Sequence, residues 1–270
     1  MKPCRICLEK ECKAPNGEGT CNCETCAVKE TCPKKLRATI RITKKCTQSC
    51  GHCCYECSPK ENTHMTIKMA KKIGRFLKNN EVYSVNLMGG EIFCNPKWRK
   101  ILDEIIPNVQ YARIVSNGDW VEGDPTFAEY LTKFPNCWVC VSKDEWHTMK
   151  NVDKALEILE RNNIPTSVPN HKEEEFNMVP VGRAEFMTFG FYSMFGCYCH
   201  NPQHQYSFLI DEVGDIFKCG FGIWNYASVD EYINGDFPER FKEFNTVFYN
   251  TFIGSCSSCI RGHNYHHPKK

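Results

Sequence analysis

The chain has 270 residues, with 34 Lys plus Arg against 32 Asp plus Glu and a formal net charge of +2. That near-balance excludes a surface built to hold a polyanion or an acidic membrane, so nucleic-acid binding gets no compositional support. The 20 cysteines, about 7% of the chain, approach the density of a disulfide scaffold, yet the chain lacks the short secreted form that goes with one.

The opening Met1-Lys2-Pro3-Cys4-Arg5-Ile6-Cys7 lacks the apolar stretch of a secretory signal, and no run nears the ~18 apolar residues of a membrane span. A cytoplasmic location is expected, where clustered thiols bind metal more often than one another. The cysteines mark three zones. Residues 1–37 carry seven of them and little apolar periodicity, so this segment needs metal to hold it together. Cys4-x2-Cys7 and Cys23-x2-Cys26 have a zinc-ribbon spacing, while Cys23-x2-Cys26-x5-Cys32 equally suits an iron–sulfur segment.

Residues 38–185 alternate β-rich runs with helical patterns, the signature of a parallel α/β layer or barrel. Strands are predicted at 38–43, 83–88, 111–115, 138–141 and 164–168, with a weaker sixth at 176–181. Four helices separate the first five. The first, from Thr66, gathers Ile67, Ala70, Ile73 and Leu77 on one face and leaves Lys68, Lys71, Lys72 and Lys78 to water. The second carries Trp98, Ile101, Leu102 and Ile105 up to Pro107. The third is bracketed by Asp124-Pro125 as cap and first position and by Pro135. The fourth uses Val152, Ala155, Leu156 and Leu159. Cys94, Cys137 and Cys140 are expected as buried thiols.

A polar or metal-type loop follows each strand, and in a parallel barrel these loops emerge on one face. The sharpest is Cys46-Thr47-Gln48-Ser49-Cys50-Gly51-His52-Cys53, a CxxxCxxC loop. Three thiolates hold three irons of a [4Fe-4S] cube and leave the fourth open; a zinc knuckle drawing on nearby Cys54 or Cys57 is the alternative. Gly89-Gly90-Glu91 follows the second strand, Ser116-Asn117-Gly118 the third and Ser142-Lys143-Asp144 the fourth.

CxxxCxxC after the first strand with Gly-Gly-Glu after the second resembles the radical S-adenosylmethionine (SAM) enzymes, whose fold is a partial (β/α)6 barrel. The resemblance implies Cys46, Cys50 and Cys53 as cluster ligands, with SAM on the open iron and its ammonium received by Gly89, Gly90 and Glu91. Ser116, Asn117, Ser142 and Asp144 resemble the strand ends that meet the ribose and methionyl carboxylate. The family usually has a large aromatic before the last motif cysteine; here it is His52, a flat ring that can still stack on adenine. Glu145, His147, Tyr198 and His204 are candidates for proton transfer or substrate contact.

In residues 186–270, a hairpin at Gly214 leads to Cys219, and Cys256-Ser-Ser-Cys259 follows. With Cys197 or Cys199 as the first ligand, this resembles the SPASM and Twitch extensions that hold auxiliary [4Fe-4S] clusters; zinc in the same thiolates is the alternative. The resemblance therefore implies an α/β protein with a cysteine-rich N-terminal segment (1–37), a radical SAM partial barrel (38–185) and a small C-terminal α+β auxiliary-cluster domain (186–270). It implies cleavage of SAM to a 5′-deoxyadenosyl radical that abstracts hydrogen from a peptide, nucleoside or small metabolite, with electrons from a flavodoxin- or ferredoxin-type donor. The other readings are a non-catalytic zinc/thiolate binding module and a glycyl-radical activating enzyme.

Overall fold

The computed structural model describes residues 35–168, 206–218 and 225–243. The expectations at Cys4, Cys7, Cys23, Cys26, Cys32, Tyr198, Cys199, His204, Cys219, Cys256, Cys259 and the sixth strand lie outside the described residues.

Five strands fall where the β-rich runs predict: β1 (Arg37–Arg41), β2 (Ser84–Met88), β3 (Tyr111–Ser116), β4 (Cys137–Val141) and β5 (Thr166–Ser167). All pair in parallel, in the order β5-β4-β3-β2-β1. Helix α1 (Ile67–Asn79) starts where the Thr66 side chain accepts from the Met69 N–H at 3.1 Å, and it buries Ala70, Ile73, Phe76 and Leu77. Lys68, Lys71 and Lys78 stay exposed, while Lys72 is half-buried and reaches Asp230 at 2.6 Å. Helix α2 (Trp98–Ile105) buries the four apolar residues expected of it and tightens into a 3-10 turn, Ile106–Asn108, at Pro107.

The third helical stretch differs from its prediction. A short helix α3 (Trp120–Gly123) comes first, and α4 (Phe127–Leu131) begins after Thr126 rather than at Pro125. Asp124 is no helix cap: its carboxylate accepts from Trp98 Nε1 at 3.0 Å and from Arg99 at 2.8 Å, which ties this loop to α2. Helix α5 (Val152–Arg161) buries Val152, Ala155 and Leu159, with Leu156 only partly covered. Cys137 and Cys140 are buried on β4 as expected, but Cys94 is half-buried on a 3-10 turn, Ile92–Cys94.

The hairpin at Gly214 forms from β6 (Ser207–Ile210) and β7 (Asp215–Phe217), with β8 (Asn225–Ser228) beyond it. It extends the barrel sheet, because β6 lies parallel to β1 on the edge that β2 leaves open. All four residues of β6 are buried, the continuous pattern of a strand covered on both faces. Gly214 turns with φ +94°, and a Cβ there would meet Met69 Sδ at 2.6 Å. Phe208 of β6 packs on Phe76 of α1, and on Phe237 and Phe241 of the helical run 237–243, with ring centroids 4.8–6.1 Å apart.

Candidate active site

The C-terminal ends of β1 to β4 bring four loops together. The glycines after β2 serve a close backbone approach: a Cβ on Gly89 would lie 2.5 Å from Thr43 O, and one on Gly90 2.2 Å from Lys45 O. The neighbours approached are thus the chain leaving β1, and Gly90 and Glu91 donate their N–H groups to Thr43 O and Lys45 O at 2.8 and 2.9 Å. This lays the Gly-Gly-Glu segment directly against the start of the cysteine loop.

The Glu91 carboxylate is fully buried. Its Oε2 accepts from the Asn117 N–H at 2.8 Å and its Oε1 from the Ile92 N–H at 3.2 Å. Burial pushes its pKa up to about 7, against the lowering effect of hydrogen bonds from Asn117 and Ser116. Asn117 passes the connection on, its Nδ2 donating to Thr47 Oγ1 at 3.1 Å and lying 3.9 Å from Cys46 Sγ. Ser116 is buried, takes the Gly118 N–H on its hydroxyl at 3.0 Å, and accepts the Ser142 N–H on its carbonyl at 2.8 Å.

Asp119 organises the same rim, although nothing in its one-residue signal singles it out. Its carboxylate accepts from Thr47 Oγ1 at 2.6 Å, Gln48 Nε2 at 2.9 Å and Asn151 Nδ2 at 3.0 Å. Burial alone would raise its pKa, but these three donors, with Lys150 nearby, hold the group below the ordinary value and keep it ionised. Gln48 also accepts from the Thr148 N–H at 3.2 Å, joining the cysteine loop to the loop after β4. A cavity of about 740 Å³ opens here, walled by Thr47 to Gly51, Phe93, Asp119, Glu122, Gly123, Trp146, Thr148, Lys150 and Asn151. The sequence signal for Thr47 and Gln48 is their place inside the CxxxCxxC motif.

Cys46 is buried, whereas Cys50 and Cys53 are half-buried. Cys46 belongs to an apolar cluster with Tyr55, Cys57 and Leu209, against which Cys53, Cys54, Met88 and Phe217 pack. Burial raises the Cys46 and Cys54 thiols to about 12, and the Cys57 thiol rises through its hydrogen bond to Cys53 and its burial. Thiols so placed form thiolates only with a positive partner, and three on one loop fit the donor set of an iron–sulfur cluster. Glu145 is exposed; Asp144 and His147 are half-buried and hydrogen-bonded to each other at 2.7 Å, beside the His52 ring.

Parallel strand order, the cysteine loop after β1 and the interlocked loops after β2, β3 and β4 match the partial-barrel fold that the resemblance to the radical SAM enzymes implies. Solved structures bear this out at the level of fold. SuiB of Streptococcus suis, bound to its precursor peptide SuiA, superposes with a TM-score of 0.55 at 13% identity, over 78% of this chain and 67% of that one. anSMEcpe with AdoMet and the Cp18Cys peptide gives 0.51 at 14% identity, over 83% and 87%. BtrN in complex with AdoMet and 2-DOIA gives 0.50 at 15%, over 79% and 86%. In sequence, the chain is 34% identical over 86 residues to the antilisterial bacteriocin subtilosin biosynthesis protein AlbA of Bacillus subtilis (strain 168). That match spans 32% of this chain and 19% of AlbA. No family model matches the chain. Among the described residues, no helix is long and apolar enough to cross a membrane.

Proposed function

We propose that the protein is a radical SAM enzyme that abstracts hydrogen from a peptide substrate. The observation that carries the reading is the lock between loops: a CxxxCxxC loop held by Asn117 and Asp119 and backed by a fully buried Glu91. Cys46, Cys50 and Cys53 would hold a [4Fe-4S] cluster. When bound, the cluster delivers the electron that cleaves SAM to methionine and a 5′-deoxyadenosyl radical. The chain's own part is positional. Gly89, Gly90 and Glu91 offer a backbone edge and a carboxylate to the methionyl ammonium, Ser116, Asn117, Ser142 and Asp144 present polar groups to the ribose and carboxylate, and His52 offers a ring face to adenine. Holding one C–H bond against the reactive carbon and keeping other quenchers out is the protein's share of such chemistry.

The organisation that goes with this function has a metal-binding segment at 1–37, the barrel at 38–185 and an auxiliary cluster at 186–270 held by Cys199, Cys219, Cys256 and Cys259. The auxiliary cluster would accept the substrate electron and make the net reaction an oxidation. A flavodoxin- or ferredoxin-type donor supplies the first electron. The peptide class is favoured by the sequence match to a bacteriocin biosynthesis protein and by the peptides held in the SuiB and anSMEcpe structures; the small-molecule complex of BtrN supports the other class.

Anaerobic reconstitution with iron and sulfide, followed by reductant and SAM, is expected to give brown protein that forms 5′-deoxyadenosine. C50A should abolish that product, a loss of at least a hundredfold. Colourless, zinc-loaded protein that leaves SAM intact would sink the proposal. Screening peptides and metabolites for SAM-dependent loss of hydrogen then decides between substrate classes.

A further inference from the structure

Beside the thiol loop, two imidazoles and a carboxylate meet. His52 comes from the loop after β1, and Asp144 and His147 come from the loop after β4; one ligand atom of each lies within 4.8 Å of the others. The His147 Nδ1 is 2.7 Å from Asp144 Oδ1, and the His52 and His147 rings meet edge-on with centroids 4.8 Å apart. The two loops are strapped together by the Thr148 N–H on Gln48 Oε1 at 3.2 Å. The Trp146 N–H, donating to Asp144 Oδ1 at 3.0 Å, fixes the carboxylate.

We propose that His52, Asp144 and His147 form a mononuclear site for a first-row divalent metal of the zinc type. The donor set selects the ion. Two neutral imidazoles and one carboxylate offer too few oxygens for calcium or magnesium and no thiolate for a soft ion, so borderline dications such as Zn²⁺ fit best. The geometry is close to what such an ion requires. Bonds of about 2.0–2.1 Å in a tetrahedron put ligand atoms about 3.3–3.4 Å apart. The 2.7 Å pair must therefore open by a little over half an ångström, and since all three ligand atoms lie within 4.8 Å of one another, no pair has more than about one and a half ångströms to close. Both changes are within reach of side-chain rotation on half-buried loop residues.

Three protein ligands leave a fourth tetrahedral position for water or a substrate atom, the pattern of zinc sites that do chemistry. The cavity of about 740 Å³ runs past Gly51, Trp146 and Thr148, each a chain neighbour of His52 or His147. The ion would thus stand at the rim of the proposed substrate space. An imidazole bound through one nitrogen keeps its ring face and a carboxylate bound through one oxygen keeps the other, so, on the reading proposed above, His52 remains available to adenine and Asp144 to the SAM ribose.

The test uses the full chain, reconstituted anaerobically, with zinc binding followed by competition with a chromophoric chelator and by zinc X-ray absorption. H147Q and D144N are near-isosteric, and D144N keeps an acceptor for the Trp146 N–H. Wild type should bind one zinc per chain that each variant loses or binds at least tenfold more weakly, with iron content unchanged. The difference signal should show nitrogen or oxygen neighbours at about 2.0–2.1 Å and no sulfur at about 2.3 Å. Equal zinc binding in wild type and both variants, or a difference shell made of sulfur, overturns the site. The comparison decides this even in iron-free protein, so failure of the radical SAM reading and failure of the metal site are separate outcomes.

Discussion

Glu91 shows how much one residue carries on this rim. Its carboxyl binds a proton more tightly in the folded chain, with a pKa of about 7, than the ordinary value of 4.5, because burial penalises the charge. The folded state therefore gains from that proton: the gain is complete below pH 4.5 and is lost as pH rises through about 7. E91Q, which cannot titrate, should remove this dependence. Wild-type melting temperature should fall between about pH 5 and 8 relative to E91Q, by the equivalent of a few kcal/mol at about 1.4 kcal/mol per pKa unit. Parallel pH profiles for the two proteins would refute the assignment. Glu91 was visible in the sequence as part of Gly-Gly-Glu; its hydrogen bond to the Asn117 backbone was not, because it depends on two loops meeting across 26 residues. Asp119 was not visible for a related reason. A single Asp after Ser-Asn-Gly reads as loop polarity, and only the fold delivers Thr47, Gln48 and Asn151 to it.

Elements report a different balance, in which intrinsic preference and packing conflict. Gly74 lies in the middle of α1, where helix propensity alone favours alanine by about 1 kcal/mol. A Cβ at that position would lie 2.2 Å from the Glu104 backbone oxygen of α2 and 2.9 Å from Asn108 Nδ2. The first of these is backbone, so it yields only if α2 moves, and overpacking of that kind costs about 1–3 kcal/mol. Net of the propensity gain, G74A should lower stability by up to about 2 kcal/mol, read from chemical denaturation. A stabilised G74A would mean that the two helices are not held at this distance. The apolar spacing of α1 and α2 made both helices legible beforehand, whereas the closeness of their contact was carried by a residue with no side chain. The third helix was misplaced by two residues because Asp124-Pro125 has the form of a helix start. Tertiary partners, Trp98 and Arg99, claim the carboxylate instead.

At the scale of the whole molecule, periodicity predicted strands one at a time and their parallel order followed from the crossovers, but the docking of the late hairpin on β1 had no local signal. Strand pairing of that separation is decided by which edge is open and which run is apolar on both faces. The structure places a charged tie at this junction. Arg41, the last residue of β1, donates from Nε to Glu212 Oε2 at 2.5 Å and reaches Asp211 Oδ2 at 3.5 Å, with side chains no more than 10% exposed. Its guanidinium also lies 5.2 Å from the Tyr55 ring centroid on the cysteine loop. Removing one partner of a buried ion pair leaves the other charge uncompensated and costs about 3–5 kcal/mol, more than the pair itself contributes. R41M should therefore destabilise the protein by about that amount. The double variant R41M/E212Q, which removes the stranded charge as well, should recover a large part of the loss, because Asp211 still accepts the Val213 and Asp215 N–H groups at 3.0 Å. Denaturant titration of wild type and of both variants distinguishes this from simple loss of packing: if the tie were packing alone, the second substitution would add to the damage rather than offset it.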